Sequence, residues 1–255
     1  MNDRVLGLSA DADGSSVVTS KSDATPQNTP GQLARLQCRE GARVYRYMKV
    51  QENIAKGQVA SLFQFIDNAD VDEVATTSQK VLKGTGDFTA NEFGDGTFPS
   101  AFVSIDVNTG LNQTRAIVRN PGTDYLTLDK VWDTALDATS DYVTYDLNYV
   151  QQCNTGDGVP IVMGVAIADI TAGQWGWFQL KGFCPLVRIV GSTDAIVAGE
   201  DLVPSATAGA AKGFTTAGTT ADEAAAAFGK ALHASAAADA AGRGVAALLH
   251  IDWAA

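Results

Sequence analysis

The sequence predicts an all-β fold, built mainly of β-strands, with a small core. The 255 residues include 25 glycines, and short apolar runs alternate with turn residues along most of the chain. This spacing is typical of short strands joined by tight turns. Hydrophobic residues make up 45% and charged residues 18% of the chain. That composition indicates a folded protein that is long enough to bury a core.

A five-residue unit, Ile-x-x-Gly-(Gln/Glu), occurs three times between strand-like runs, at 54–58, 170–174 and 196–200. In each copy the isoleucine ends an apolar run, and the polar residue starts the next strand at the surface. The glycine is expected to take the positive φ that a tight turn needs. Three copies favour a β-barrel or β-sandwich with short loops. The turn glycines are Gly57, Gly173 and Gly199.

The strand before the first unit is predicted at "ARVYRYMKV", residues 42–50. Alternate side chains of a strand lie on opposite faces of a sheet. One face is therefore expected to carry Tyr45, Tyr47 and Lys49, and the other Val44, Arg46, Met48 and Val50.

The chain is predicted to have a core with one insertion and an N-terminal extension. Residues 1–40 are polar and rich in turn residues, which indicates an extended arm. The core domain is assigned to 41–83 and 151–255. Strand-like runs around the turn "NPGTD" assign 84–150 to an inserted β-hairpin module. A short helix is a further expectation for 68–82.

The alanine-rich C-terminal segment contains conflicting signals. Alanine is the best helix former, but Gly229, Gly242 and Gly244 interrupt the segment. We expect one strand near 226–234 and a closing strand at 245–253. Short helical turns remain the alternative.

Charge and cysteine content limit the partners and the compartment. A formal net charge of -11 argues against a nucleic-acid partner and against an anionic membrane surface. No apolar run approaches the ~20 residues of a membrane span, and the N-terminus lacks a signal core. Three cysteines without a Cys-x-x-Cys motif predict reduced thiols in a chain made in the cytoplasm. They are Cys38, Cys153 and Cys184.

The residues that perform catalysis or bind metals form no recognisable motif, so the chain is predicted to have no enzymatic activity, cofactor or metal. His233 and His250 lie outside any nucleophile–base pattern, and a packed or surface position is expected for both. The acidic stretches 11–14 and 67–73 resemble incomplete calcium loops. A carboxylate pair for glycoside cleavage stays open, since any two of the 29 acidic residues could converge.

The stretch "AGQWGWFQLKG" is the most unusual aromatic segment. Trp175 and Trp177 are two residues apart, so both indoles should project to one side of a strand. Gly176 between them leaves the opposite face bare for another backbone or ring. The candidate core or subunit-contact aromatics are Trp175, Trp177 and Phe178.

The repeated units, "AGQWGWFQLKG", "GEDLVPSATAG" and the C-terminal "FGKALHASAAADAAGRGVAALLHIDW" together resemble the small β domain of capsid decoration, or cement, proteins of tailed bacteriophages. The resemblance implies a β-barrel or β-tulip-like core and a structural virion protein on the capsid exterior. It also implies the major capsid protein as partner, and self-association as a homotrimer more often than a dimer.

A second resemblance lies within the insertion. "GLNQTRAIVRNPGTDYLTLDKVWDTALDATSDYVTY", residues 110–145, is similar to a β module of many phage virion proteins. The two resemblances cover about two-thirds of the chain. The alternative function is a virion-associated carbohydrate-binding or hydrolase β domain of the fibre or spike type.

Overall fold

The predicted all-β class is confirmed in the computed structural model, where the described residues form strands and turns and no helix. The chain folds as two compact units, 1–62 with 149–255 and 63–148. The structure describes residues 22–24, 28, 30–38, 41–72, 81–90, 93, 101–155, 160–190, 195–214, 226–235 and 244–251.

Fourteen strands lie within the described residues, and strands β3 and β8 each have residues in both units. In chain order they are β1 (Leu33–Cys38), β2 (Gly41–Val50), β3 (Val59–Asp70), β4 (Val81–Lys83), β5 (Ala101–Val107), β6 (Thr114–Arg119), β7 (Tyr125–Leu128), β8 (Asp141–Gln152), β9 (Val162–Ala166), β10 (Trp175–Arg188), β11 (Asp201–Pro204), β12 (Ala211–Gly213), β13 (Gly229–Ala231) and β14 (Gly244–His250).

Five strands of the first unit form a partial ring. β10 is antiparallel to β2 and β9, β9 is antiparallel to β3, and β8 lies between β3 and β2. The contact of β8 with β2 is parallel, with Val150 opposite Val50. All five strands contribute to one cluster of buried side chains, so the ring encloses part of the core. That cluster is Met48, Val50, Ile54, Ala60, Val150, Met163, Ala166, Ile170 and Phe178.

The same long strand, β10, continues into a second set of antiparallel pairs, β10–β14, β14–β13, β13–β11 and β11–β12. The alanine-rich segment therefore forms strands β13 and β14, close to the predicted positions. Tertiary pairing overrides the helix preference of alanine here. A Cβ on Gly229 would lie 3.1 Å from the Leu248 carbonyl oxygen, so only glycine fits without a shift.

The first two copies of the repeated unit pair with each other. The N–H of Ile54 donates to the carbonyl of Ile170 at 2.9 Å, and the N–H of Ile170 donates back at 2.7 Å. The N–H of Gly57 donates to the carbonyl of Ala166, and the N–H of Gly173 donates to the carbonyl of Val50, both at 2.8 Å. Each acceptor lies four residues before the isoleucine that follows it, Ile170 or Ile54. The hydrogen bonds between the two turns are therefore reciprocal, as an approximate two-fold relation between the turns would give.

All three copies form the same turn. The residue after the glycine donates its N–H to the carbonyl three positions earlier, at 3.0 to 3.1 Å. The third copy pairs with Ser235, which exchanges hydrogen bonds with Ile196 at 2.9 and 3.1 Å. A positive φ at the third turn position defines a type II turn. The φ angles are 82° at Gly57, 77° at Gly173 and 86° at Gly199.

Within the predicted arm, 1–40, two of the described segments pair with strands of the first unit. β1 is antiparallel to β2 over its whole length, from Leu33 opposite Arg46 to Cys38 opposite Gly41. Asp23 forms an isolated antiparallel bridge with Trp175. Residues 1–21 lie outside the described residues.

The second unit contains the strands that were predicted around "NPGTD". β5 pairs with β8 and β6, β6 with β7, and β7 with β4, all antiparallel. This unit begins at Phe63, earlier than the predicted insertion at 84, because Phe65, Val71 and Leu82 pack into its core. The indole N–H of the fully buried Trp132 donates to the Val81 carbonyl at 3.0 Å.

A helix was expected at 68–82, but the structure has strands at both ends of this segment. β3 continues to Asp70, and β4 begins at Val81. Residues 73–80 lie outside the described residues.

The turn glycines should differ in their tolerance of alanine. Alanine at a positive φ costs about 1–2 kcal/mol at each position. At Gly57 the new Cβ would also lie 2.8 Å from Leu186 Cγ, whereas nothing lies within 4 Å at Gly173 or Gly199. Gly57→Ala should therefore lower the free energy of unfolding in urea more than Gly173→Ala. Gly122→Ala, which has neither problem, is the control and should be near neutral.

The first unit should fold without the second. The N–H of Cys153 donates to the Val59 carbonyl at 2.9 Å, so the ends left by removing 63–148 lie on neighbouring strands. Replacing 63–148 with a short Gly/Ser linker should retain a cooperative unfolding transition and the near-ultraviolet dichroism of the first unit's tryptophans. Replacing 84–150 instead should give insoluble protein, because it removes Val150 from the ring. Equal solubility of both products would contradict this division.

Candidate functional site

The aromatic residues predicted on β10 divide between its two faces. Trp175 and Trp177 are 8% and 6% exposed and lie on the same side, as predicted. Their rings contact Tyr47 of β2, with centroids 5.7 and 5.1 Å away. Phe178 lies on the opposite side, fully buried within the ring of five strands. The three residues therefore belong to two different clusters.

The space opposite the indoles is filled by a side chain of the repeated turn. A Cβ on Gly176 would overlap Ile170, the isoleucine of the second copy. The expected neighbour was another backbone or ring, and the structure places an aliphatic side chain there. Gly176 therefore allows the Ile54–Ile170 contact to pack directly beneath β10.

The two indoles belong to a small cluster on the outer side of β2 and β10, here called the aromatic cluster. Its buried members come from three strands, and Leu36 and Ile167 pack against them. Tyr47 is fully buried at its centre. Stacked and tilted ring pairs of this kind add about 0.5–1.5 kcal/mol each beyond their buried area. The buried members are Ala34, Tyr45, Tyr47, Trp175 and Trp177.

Asp23 joins the N-terminal segment to the aromatic cluster by three hydrogen bonds. Its N–H donates to the Trp175 carbonyl at 2.9 Å, and the Trp175 N–H donates to the Asp23 carbonyl at 2.9 Å. The hydroxyl of Tyr47 donates to the Asp23 carboxylate at 3.0 Å. The carboxylate thus provides an acceptor for the hydroxyl of a fully buried tyrosine.

Lys49 and Tyr149 form the half-buried rim of the aromatic cluster. The Tyr149 ring meets Trp175 edge-on, with centroids 6.2 Å apart. Lys49 Nζ lies 5.1 Å from the Tyr149 ring centroid and donates to its hydroxyl at 3.4 Å. The cluster therefore combines an apolar centre that is buried within the first unit with a half-buried edge that carries the Lys49 ammonium group and the Tyr149 ring.

Sequence patterns found some of these residues and missed others. Alternation in β2 correctly placed Tyr45, Tyr47 and Lys49 on one face. Asp23 and Tyr149 were missed, because they join Trp175 only through pairing between segments far apart in the chain. No local signal in the sequence marks either contact.

The two histidines occupy structural and surface positions. Nε2 of His233 accepts the Ala246 N–H at 3.1 Å, and Nδ1 lies 3.1 Å from the Ala234 carbonyl. A neutral ring with its proton on Nδ1 satisfies both contacts. His250 lies exposed on the outer face of β14.

The two cysteines whose side chains are described, Cys153 and Cys184, are free and buried. Burial raises the pKa of Cys153 to about 12 and that of Cys184 to about 11. Both thiols therefore stay protonated near neutral pH, and buried thiols of this kind are unreactive. The side chain of Cys38 lies outside the described residues.

Acidic residues meet at one end of three neighbouring strands of the second unit. Asp141 of β8 hydrogen-bonds to Asp70, which raises the pKa of the Asp141 carboxyl, and the charge of Asp106 adds to that effect. Within the described part of the chain, no group of three or more His, Cys, Asp or Glu side chains could hold a metal ion. Of the two acidic stretches that resemble incomplete calcium loops, 11–14 lies outside the described residues.

Comparisons with protein-family models, with curated proteins and with solved structures find no match to this chain. Among its described residues, no helix has the length and apolar character needed to cross a membrane.

Loss of one indole should destabilise the first unit. Trp175→Ala removes a buried ring that contacts Tyr47 and Tyr149 and should cost roughly 3–5 kcal/mol of unfolding free energy. Leu232→Ala, at a site that is 48% exposed, is the control and should change stability little. Chemical denaturation followed by dichroism measures both. A loss below about 1 kcal/mol for Trp175→Ala would show that the indole contributes little to the fold.

Proposed function

We propose that the protein is a structural virion protein of a tailed bacteriophage, a decoration or cement protein that binds the capsid exterior. The observation that supports this most is the position of the "AGQWGWFQLKG" stretch, on which the resemblance depends. It supplies the turn of the second repeat and the first half of β10, which pairs with β2 and β9. The family-like segment is thus the centre of the first unit.

The finer fold that we propose is a β-barrel or β-tulip-like core. The partial ring of β2, β10, β9, β3 and β8 with its enclosed cluster supports this assignment. The type II turns of the first two repeats connect β2 with β3 and β9 with β10 through few residues, as is typical of small barrels.

The proposed partner is the major capsid protein, and the proposed action is stabilisation by linkage. A ligand that binds only the assembled shell stabilises it, by about 2.7 kcal/mol per site at a free concentration 100 times Kd. The protein would self-associate, as a trimer more often than as a dimer. Each oligomer could then contact several capsid subunits at once and gain avidity. The proposal includes no enzymatic activity, cofactor, nucleic acid or membrane. The chain would be made in the host cytoplasm.

The surface that we propose for protein contact is the rim of the aromatic cluster. Lys49 and Tyr149 are half-buried and offer a cation, a hydroxyl and a ring edge beside buried indoles. Tyrosine is among the residues that are enriched where protein interfaces gain most of their affinity, and Tyr149 is the residue of this rim that we expect to contribute most.

The test is saturation binding to heads that lack the protein, followed by gel densitometry of the washed particles. The expected result is many copies per head in a fixed ratio to the major capsid protein, and a higher dissociation temperature of the head. Tyr149→Ala should reduce the binding, whereas Tyr125→Ala, which removes an exposed ring from the second unit, should not. No saturable binding would overturn the proposal. A few copies per particle, or polysaccharide cleavage, would favour the alternative fibre or spike domain.

A further inference from the structure

We propose that the backbone of β10 at Trp175, together with the Tyr47 hydroxyl, is an acceptor site for an extended strand, and that it takes residues 22–24 from a second copy of this chain. In the structure the same site holds residues 22–24 of its own chain. The contact in one chain therefore defines the chemistry of the partner: an extended segment with a carboxylate opposite Trp175.

The acceptor site recognises both backbone and side chain. Trp175 offers one N–H and one carbonyl, and Asp23 satisfies both at 2.9 Å. The Tyr47 hydroxyl lies beside them and selects an acceptor side chain, which the Asp23 carboxylate supplies at 3.0 Å. Addition of a strand to an exposed edge, with main-chain hydrogen bonds for affinity and one side chain for specificity, is a common mode of peptide recognition.

The edge is available at this point because the neighbouring strand begins later. On one side of β10, β2 pairs from Lys49 opposite Trp175 onward. On the other side, β9 pairs with β10 only at Phe178 and Gln179. Trp175 therefore presents hydrogen-bonding groups beyond the start of the β9 pairing, and Asp23 is the residue that fills them.

Exchange between copies costs no contact energy, because the same groups meet in both arrangements. The balance depends on concentration alone. Asp23 is tethered to β1, which begins at Leu33, by a connection that can extend about 35 Å at most. A short tether gives an effective concentration in the millimolar range, so the segment of a second copy competes when copies are comparably crowded. Copies held side by side on any surface meet that condition.

Engineered disulfides can distinguish the two arrangements. Ala24 follows Asp23 and Gln174 precedes Trp175, so extending the antiparallel register of the Asp23–Trp175 bridge by one residue would bring Ala24 opposite Gln174. In ideal antiparallel geometry a pair that flanks a hydrogen-bonded pair has Cα atoms about 4.5 Å apart, within the range that a disulfide can bridge. The test uses full-length chains that carry Cys38→Ser, since Cys153 and Cys184 are buried.

Three samples are oxidised in a glutathione buffer at concentrations from about 0.01 to 1 mM, spanning the tether's effective concentration. The first is the double variant Ala24→Cys with Gln174→Cys. The second mixes the two single variants. The third, the matched control, mixes Ala24→Cys with Val197→Cys, which puts a thiol at a position that is 63% exposed. Gels without reductant separate the closed chain, the covalent dimer and the free chain.

The proposal expects a closed chain in the first sample and a covalent dimer in the second that rises with concentration to about tenfold above the control. Adding Asp23→Pro to the Ala24→Cys chain removes the N–H that Trp175 accepts and should abolish both products. A double variant that closes while the mixture matches the control would overturn exchange between copies. If neither the closed chain nor the covalent dimer forms above the level of the control, the acceptor site itself is overturned. Because no capsid is present, the result is independent of the proposed capsid binding.

Discussion

The backbone of β10 is the constraint on which the first unit depends. Its fourteen residues pair with Asp23, β2 and β9 near the start and with β14 near the end. The ring of five strands and the antiparallel β14–β13–β11–β12 set therefore share one strand. Breaks in its register after Gln179 and after Cys184 let it serve different partners along its length. Bulges of this type bend a strand and increase its twist.

Two clusters pack on opposite sides of the first half of β10, and one glycine makes this possible. Phe178 projects into the ring, and Trp175 and Trp177 project to the aromatic cluster. Gly176 leaves room for Ile170, which bonds reciprocally to Ile54. The second repeated turn and the tryptophan-containing start of β10 thus pack as one unit, through Ile170 and Gly176. This explains why the isoleucine, the glycine and the indoles occur so close together in the sequence.

The proposed function and the acceptor site use neighbouring parts of this region. The aromatic cluster is buried except at its rim, where Lys49 and Tyr149 remain half exposed. Asp23 covers the other side through backbone pairing and the Tyr47 hydroxyl. The two proposals therefore assign this rim to contact with the capsid and the adjoining edge of β10 to an extended segment. The Asp23 carboxylate is held at this edge by a hydrogen bond from the Tyr47 hydroxyl.

Local patterns in the sequence correctly predicted the class of the fold, most strand positions and the turn glycines. Period-two alternation identified the two faces of β2, and the positive φ of Gly57 follows from its place in a tight turn. The unit boundary was harder to predict. Phe65, Val71 and Leu82 precede the predicted insertion, and their local pattern does not reveal the core in which they are buried.

By itself, the sequence determined that this chain forms strands joined by tight turns with a positive-φ glycine, because side-chain alternation and glycine conformation act over a few residues. Only the tertiary structure decided which strands meet. Ile54 pairs with Ile170 across more than one hundred residues, and the alanine-rich β13 and β14 become strands through their neighbours rather than through propensity. Asp23 reaches Trp175 for the same reason. Long-range hydrogen bonds and burial outweigh local preference, and neither is encoded at a single place in the chain.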